Sequence, residues 1–225
     1  MRENYALRAG LSVLSLILFI AALFLVFIYV PTEKTMGVVQ RIFYFHVPLA
    51  WVAFLAFFIV FVNSILYLWK RDNKWDVYAS ASSEVGIVFT TLVLITGSIW
   101  AKPIWGVWWT WEPRLTASLV LWLIYIAYIL VRSYAQEESR GARYAAVVGI
   151  IGFLDVPIVA LAITLWRTQH PGPVIFQGGL APAMLLTLLI CITAFTVLFC
   201  LLLLLRISLK NYEIEIKKIK SEFNR

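Results

Sequence analysis

The sequence predicts an all-α integral membrane protein with six transmembrane helices and both termini cytoplasmic. Three observations predict it. First, 62% of the residues are hydrophobic and 14% charged, with a mean hydropathy of +0.88, where soluble globular domains run roughly 45–50% apolar and about 25% charged. Second, six apolar runs reach or approach the ~20 residues that cross a ~30 Å hydrocarbon layer. Third, 14 of the 19 basic residues fall on one side when these runs alternate in direction, and short loops rich in Lys and Arg stay cytoplasmic.

The first run, 11–30, follows Arg2 and Arg8. It is longer than a signal-peptide core and no small-residue cleavage site follows, so it is expected to be a retained span. The second run, 49–69, ends in Lys70, Arg71 and Lys74; the third, 85–101, is the shortest and stops before Lys102. Pro113 suits the first turn of the fourth, 115–134, which leads to Arg132, Arg140 and Arg143. The fifth, 144–165, carries Asp155 two residues before Pro157. An ionisable group at that depth is costly; it serves either a polar pathway or the carbonyls that the proline frees.

The sixth run, 180–205, leads into a basic tail, 206–225, expected on the cytoplasmic side. There Tyr212, Ile216, Ile219 and Phe223 share one helical face, so the last helix should continue, touching anionic membrane lipids or a partner subunit. No connection is long enough to fold separately, so residues 1–225 are read as one domain. The net charge of +7 follows from the positive-inside bias and requires no nucleic acid. Cys191 and Cys200 are nine residues apart, on opposite helix faces and about 13 Å from each other, and so do not pair.

The face opposite the termini concentrates unusual residues. In the tryptophan-rich loop 102–114, WGVWWTWEPRLT holds four of the ten tryptophans, Trp105, Trp108, Trp109 and Trp111, beside Glu112 and Arg114. The chain's two histidines flank this loop: His46 in RIFYFHVPLAW and His170 in WRTQHPGPV, each followed within two residues by a stiffening proline. Read as a helix, the loop would put Trp105, Trp108, Trp109 and Glu112 on one face, with Trp111 elsewhere. Interfacial polar residues and an aromatic belt account for such residues singly, yet a belt takes fewer tryptophans per helix end. Haem accounts for them together: imidazoles ligate its iron, indoles pack its ring, and Arg41 and Arg114 are candidates for its propionates. Zinc explains less, since two histidines with Glu112 leave a four-ligand site incomplete and the tryptophans unexplained.

WGVWWTWEPRLT resembles the WWD segment of the haem-handling membrane proteins of cytochrome c biogenesis. RIFYFHVPLAW, TGSIWAKPIWGVWW and HPGPV are similar to parts of cytochrome c maturation protein C, the haem-delivery family of that pathway. The positive-inside bias and compact chain favour a bacterial inner membrane with the site on its periplasmic face. The resemblance implies a non-enzymatic carrier of haem b as transient cargo with no catalytic residue. It implies His46 and His170 as axial ligands of the haem iron, Trp105, Trp108, Trp109 and Trp111 as the shelf, and Arg114 beside it. It also implies hand-over to a haem chaperone, beside an ATP-binding-cassette membrane complex and a small accessory subunit. The family's aspartate after the last tryptophan is Glu112 here, one methylene longer. A haem–cytochrome c synthase component, attaching haem directly to an apocytochrome, is the alternative.

Overall fold

The computed structural model describes residues 2–135, 137–166, 170 and 178–223, without the side chains of 2–4 and 138. Helix α1 (Arg2–Phe24) ends in a π-helical turn, Leu25–Tyr29, and a 3-10 turn, Val38–Ile42, leads into α2 (Phe43–Lys70). Then follow α3 (Asn73–Trp105), α4 (Pro113–Tyr134), α5 (Glu138–Phe153), α6 (Asp155–Leu165) and α7 (Pro182–Phe223). With α5 and α6 joined end to end, six segments are long and apolar enough to cross a membrane.

Two residues join α2 to α3. Arg71, with φ 57°, closes α2 in the left-handed conformation, and the Asp72 side chain caps α3 by accepting the Lys74 N–H at 3.0 Å. So short a connection makes the helices antiparallel neighbours. Residues 36–46, 96–114 and 170 thereby gather at the end of the bundle opposite the termini.

Two spans differ from expectation. The run 85–101 is the apolar part of a 33-residue helix, because the polar residues that interrupt the hydropathy before Val85 are bonded inside the bundle. Ser82 Oγ donates to the Ala56 carbonyl of α2 at 2.8 Å, Glu84 takes Lys210 at 2.7 Å and also Arg206 of α7, and Asp76 pairs with Arg132 of α4. The run 144–165 is broken at Leu154, where Pro157 denies the Phe153 carbonyl its usual donor. Asp155 does not serve that carbonyl: its Oδ2 is buried without a hydrogen-bond partner among the described residues.

Where lipid is as apolar as a side chain, close backbone approach and van der Waals contact hold helices together. Gly86 supplies it between α3 and α2, since a Cβ there would lie 2.8 Å from Phe57 Cε1. Gly152 does the same between α5 and α4, where a Cβ would meet Ile124 Cγ2 at 2.6 Å. Across this core Phe57 stacks on Tyr125 with centroids 3.6 Å apart. Helix α1 rests on α7 through Ala22, Val26, Leu188 and Cys191. Cys191 and Cys200 are both free, and α7 continues as a helix through the tail to Phe223.

Candidate functional site

At the end opposite the termini a cavity opens between α2, α3, α4 and α6. It brings together five of the residues singled out by sequence: His46, His170, Trp105, Trp109 and Arg114. His170 enters from beyond α6; the residues after it in HPGPV lie outside those described.

The tryptophan segment is not one helical face. Helix α3 stops at Trp105 because Gly106, with φ 77°, takes the left-handed C-cap and donates its N–H to the Lys102 carbonyl at 3.0 Å. Lys102 Nζ closes the same turn on the Gly106 carbonyl at 2.9 Å. Residues 107–112 then run without helix until Pro113 opens α4, with Glu112 as its N-cap. With the 100° period broken, Trp105 and Trp109 line the cavity while Trp108 and Trp111 turn outward, 57% and 75% exposed. Lys102 Nζ lies 6.0 Å from the Trp108 ring centre, and Trp111 meets Trp109 edge to face at 5.8 Å.

Two charged candidates also stand outside the wall. Glu112 acts on the Arg114 guanidinium through its charge. Arg41, in the 3-10 turn, has its guanidinium carbon 6.0 Å from the centre of the Phe27 ring.

His46 is held by residues that the sequence reading passed over. Its Nδ1 lies 2.9 Å from Thr96 Oγ1, and Thr96 already donates its single hydroxyl hydrogen to the Leu92 carbonyl at 2.7 Å. With that hydrogen on the Leu92 carbonyl the hydroxyl accepts from the imidazole, the arrangement that has the proton on Nδ1 and the lone pair on Nε2. Gly97 makes room for this ring, since a Cβ there would lie 3.1 Å from His46 Cε1. Trp100, a cavity residue, packs edge-on against it at 5.8 Å. Thr96, Gly97 and Trp100 all lie in TGSIWAKPIWGVWW, but no spacing rule links that stretch to a histidine fifty residues earlier.

The wall also carries polar atoms without use in the fold. The indole nitrogens of Trp100 and Trp109, and nearby Thr110 Oγ1 and Thr116 Oγ1, are buried without a hydrogen-bond partner among the described residues. Each such group costs about 1–3 kcal/mol, so a cluster of them marks a place where something else supplies the acceptors. At the mouth, Glu33 accepts the N–H groups of Thr35 at 2.8 Å and Met36 at 2.5 Å, which pins Met36 where it lines the cavity. Chiefly through the Met36 N–H, and against a smaller effect of burial, the Glu33 carboxyl is held below its usual range. The site thus offers imidazole lone pairs, flat apolar walls, and N–H and guanidinium donors for an anionic group.

Comparison with known proteins gives a consistent result. The profile of the family described as Heme exporter protein C matches residues 3–222. Heme exporter protein C of Bradyrhizobium diazoefficiens is 36% identical over 172 residues, 75% of this chain and 65% of that protein. The protein of the same name from Escherichia coli K12 is 32% identical over 79% of this chain and 73% of the relative. That from Rhodobacter capsulatus is 30% identical over 87% and 81%.

Proposed function

The chain belongs to the Heme exporter protein C family, and from that premise we propose that it binds haem b as transient cargo and passes it on during c-type cytochrome biogenesis. The site faces the extracytoplasmic side of a bacterial inner membrane, with both termini cytoplasmic. Support for the orientation comes from the 14 basic residues on the terminal side. One observation carries the functional reading: the chain's two histidines, far apart in sequence, line one cavity with Trp105, Trp109 and Arg114.

In this reading His46 and His170 are the axial ligands. The Thr96 hydroxyl keeps the His46 Nε2 lone pair available, so the neutral ring can bind iron without first losing a proton. Trp100, Trp105 and Trp109 pack the porphyrin. Arg114 and the unpartnered indole N–H groups receive the propionates. Glu112 keeps negative charge beside Arg114 and so limits how tightly that guanidinium binds an anion, which suits a cargo that must leave. Trp108 and Trp111, exposed at the rim, are the surface offered to a haem chaperone.

Hand-over is then an exchange of axial ligands, with no bond made by side chains of this protein. The chain carries no phosphate-cradling glycine loop, so energy from ATP enters through an ATP-binding-cassette partner complex and its small accessory subunit. The relatives' name, an exporter of haem, supports that assignment.

The test is the visible spectrum of purified protein, oxidised and reduced, beside His46→Ala and His170→Ala at equal expression. A low-spin haem spectrum that either substitution weakens or alters is the expected result. No haem in the parent after reconstitution, or spectra untouched by both substitutions, would sink the proposal.

A further inference from the structure

A second cleft lies at the terminal end of the bundle between α1, α2, α3 and α7. Its polar residues are Arg8, Tyr78, Ser208 and Asn211, with Asn63 on α2; its apolar walls include Ile59, Leu203 and Ile207. At ~1.5 Å per residue, Asn63 and Ile59 sit about 10 and 16 Å from the Lys70 end of α2. Along α7, Ser208 and Asn211 lie nearer the terminal end than Leu203, while Leu7 and Ile207 sit beside Arg8 and Ser208.

Arg8 is the charge in that cleft. Its guanidinium donates to the Ser208 hydroxyl, and no carboxylate pairs with it among the described residues. The neighbouring cations are already committed: Arg206 to Glu84 and Glu213, and Lys210 to Glu84. Asn63 spends one amide hydrogen on the Ile59 carbonyl at 2.7 Å, and its Oδ1 has no described partner. A cation without an acid, set beside apolar walls at a membrane face, is matched by a ligand with an anionic head and a hydrocarbon tail. Guanidinium pairs with phosphate through two parallel hydrogen bonds, and basic pockets between transmembrane helices take acidic lipid headgroups.

We propose that this cleft binds one anionic phospholipid, its phosphate on Arg8 and an acyl chain along Ile59, Leu203 and Ile207. The lipid would bridge α1 to α7 at the end of the molecule remote from the haem cavity. This inference does not depend on haem binding.

The test titrates the full chain, in phosphatidylcholine nanodiscs, with dioleoyl phosphatidylglycerol and counts retained lipid by native mass spectrometry. The expected result is one retained phosphatidylglycerol, bound about fivefold more weakly by Arg8→Gln and lost on filling the cleft with Ile207→Trp. Arg71→Gln, a basic residue of the same end outside the cleft, should leave it unchanged. Equal retention of phosphatidylglycerol and phosphatidylcholine by the unaltered chain would overturn the proposal without recourse to any variant. So would an equal loss in Arg71→Gln, which would indicate general surface attraction, or glycerol 3-phosphate binding as tightly as the lipid, which would indicate a free-phosphate site.

Discussion

The two ends of the bundle differ in how they treat charge, although Trp75 Nε1 at the terminal end is also buried without a hydrogen-bond partner among the described residues. At the terminal end, acids within the helices are matched by bases on their neighbours: Asp76 with Arg132, and Glu84 with Arg206 and Lys210. At the cavity end, the Trp100 and Trp109 indoles and the Thr110 and Thr116 hydroxyls are buried with no hydrogen-bond partner among the described residues. A low-dielectric setting makes an unmet polar group expensive and a matched one structural. The ion pairs hold the helices in register at the terminal end, and the cavity end keeps buried indoles and hydroxyls that the fold does not use.

The sharpest break of this comparison is His46→Ala, which should weaken or alter the low-spin haem spectrum while leaving the melting temperature of the cargo-free protein near that of the parent. An equal loss of fold would show that the cavity end is structural after all. The converse substitution, Arg132→Ala, leaves Asp76 without its base in a site where that carboxylate's side chain is 10% exposed. It should cost about 3 kcal/mol of stability, measured by denaturant unfolding in detergent, with the haem spectrum of the folded fraction intact.

A finer separation comes from Thr96. Thr96→Val keeps the shape and removes the acceptor that holds the proton on His46 Nδ1, so haem affinity should fall about tenfold. Thr96→Ser should restore it, and a serine variant as weak as valine would refute the tautomer argument. Next, Trp109→Leu should weaken haem binding about fivefold through lost ring packing, whereas Trp108→Leu should not, because Trp108 turns away from the cavity. Equal losses in a haem titration would restore the single tryptophan face that the sequence periodicity predicts.

The smallest effect concerns the mouth. The carboxyl of Glu33 is held below its usual range, so the order it gives to the Thr35–Met36 turn is present above the ordinary carboxylate pKa of ~4.3. That order is lost only as the pH falls through the lower folded-state value. Hydrogen exchange at the Thr35 and Met36 amides should accelerate in Glu33→Gln at neutral pH, and in the parent only under more acidic conditions.

How far the site was legible follows from the range of each signal. The two histidines and the tryptophan segment stand out because they are rare residues crowded beside apolar runs. Which tryptophans face inward was not legible, because Gly106 and Pro113 break the helical period on which that reading depended. Arg41 was singled out as a cationic partner for the propionates, yet the 3-10 turn sets it beside Phe27. Helix α3 was underestimated because hydropathy counts Glu84 and Asp76 as exposed charges when each has a base on another helix.

Local sequence determined the number of spans, their order and the end of the bundle at which the histidines collect, because crossing hydrocarbon demands long apolar runs whatever their neighbours. Only the tertiary structure decided that His46 meets Thr96 and Gly97, that His170 shares its cavity, and that the helix-borne acids are neutralised. Those are contacts between segments far apart in the chain. Their energies depend on angles and distances of a few tenths of an ångström that no residue spacing encodes.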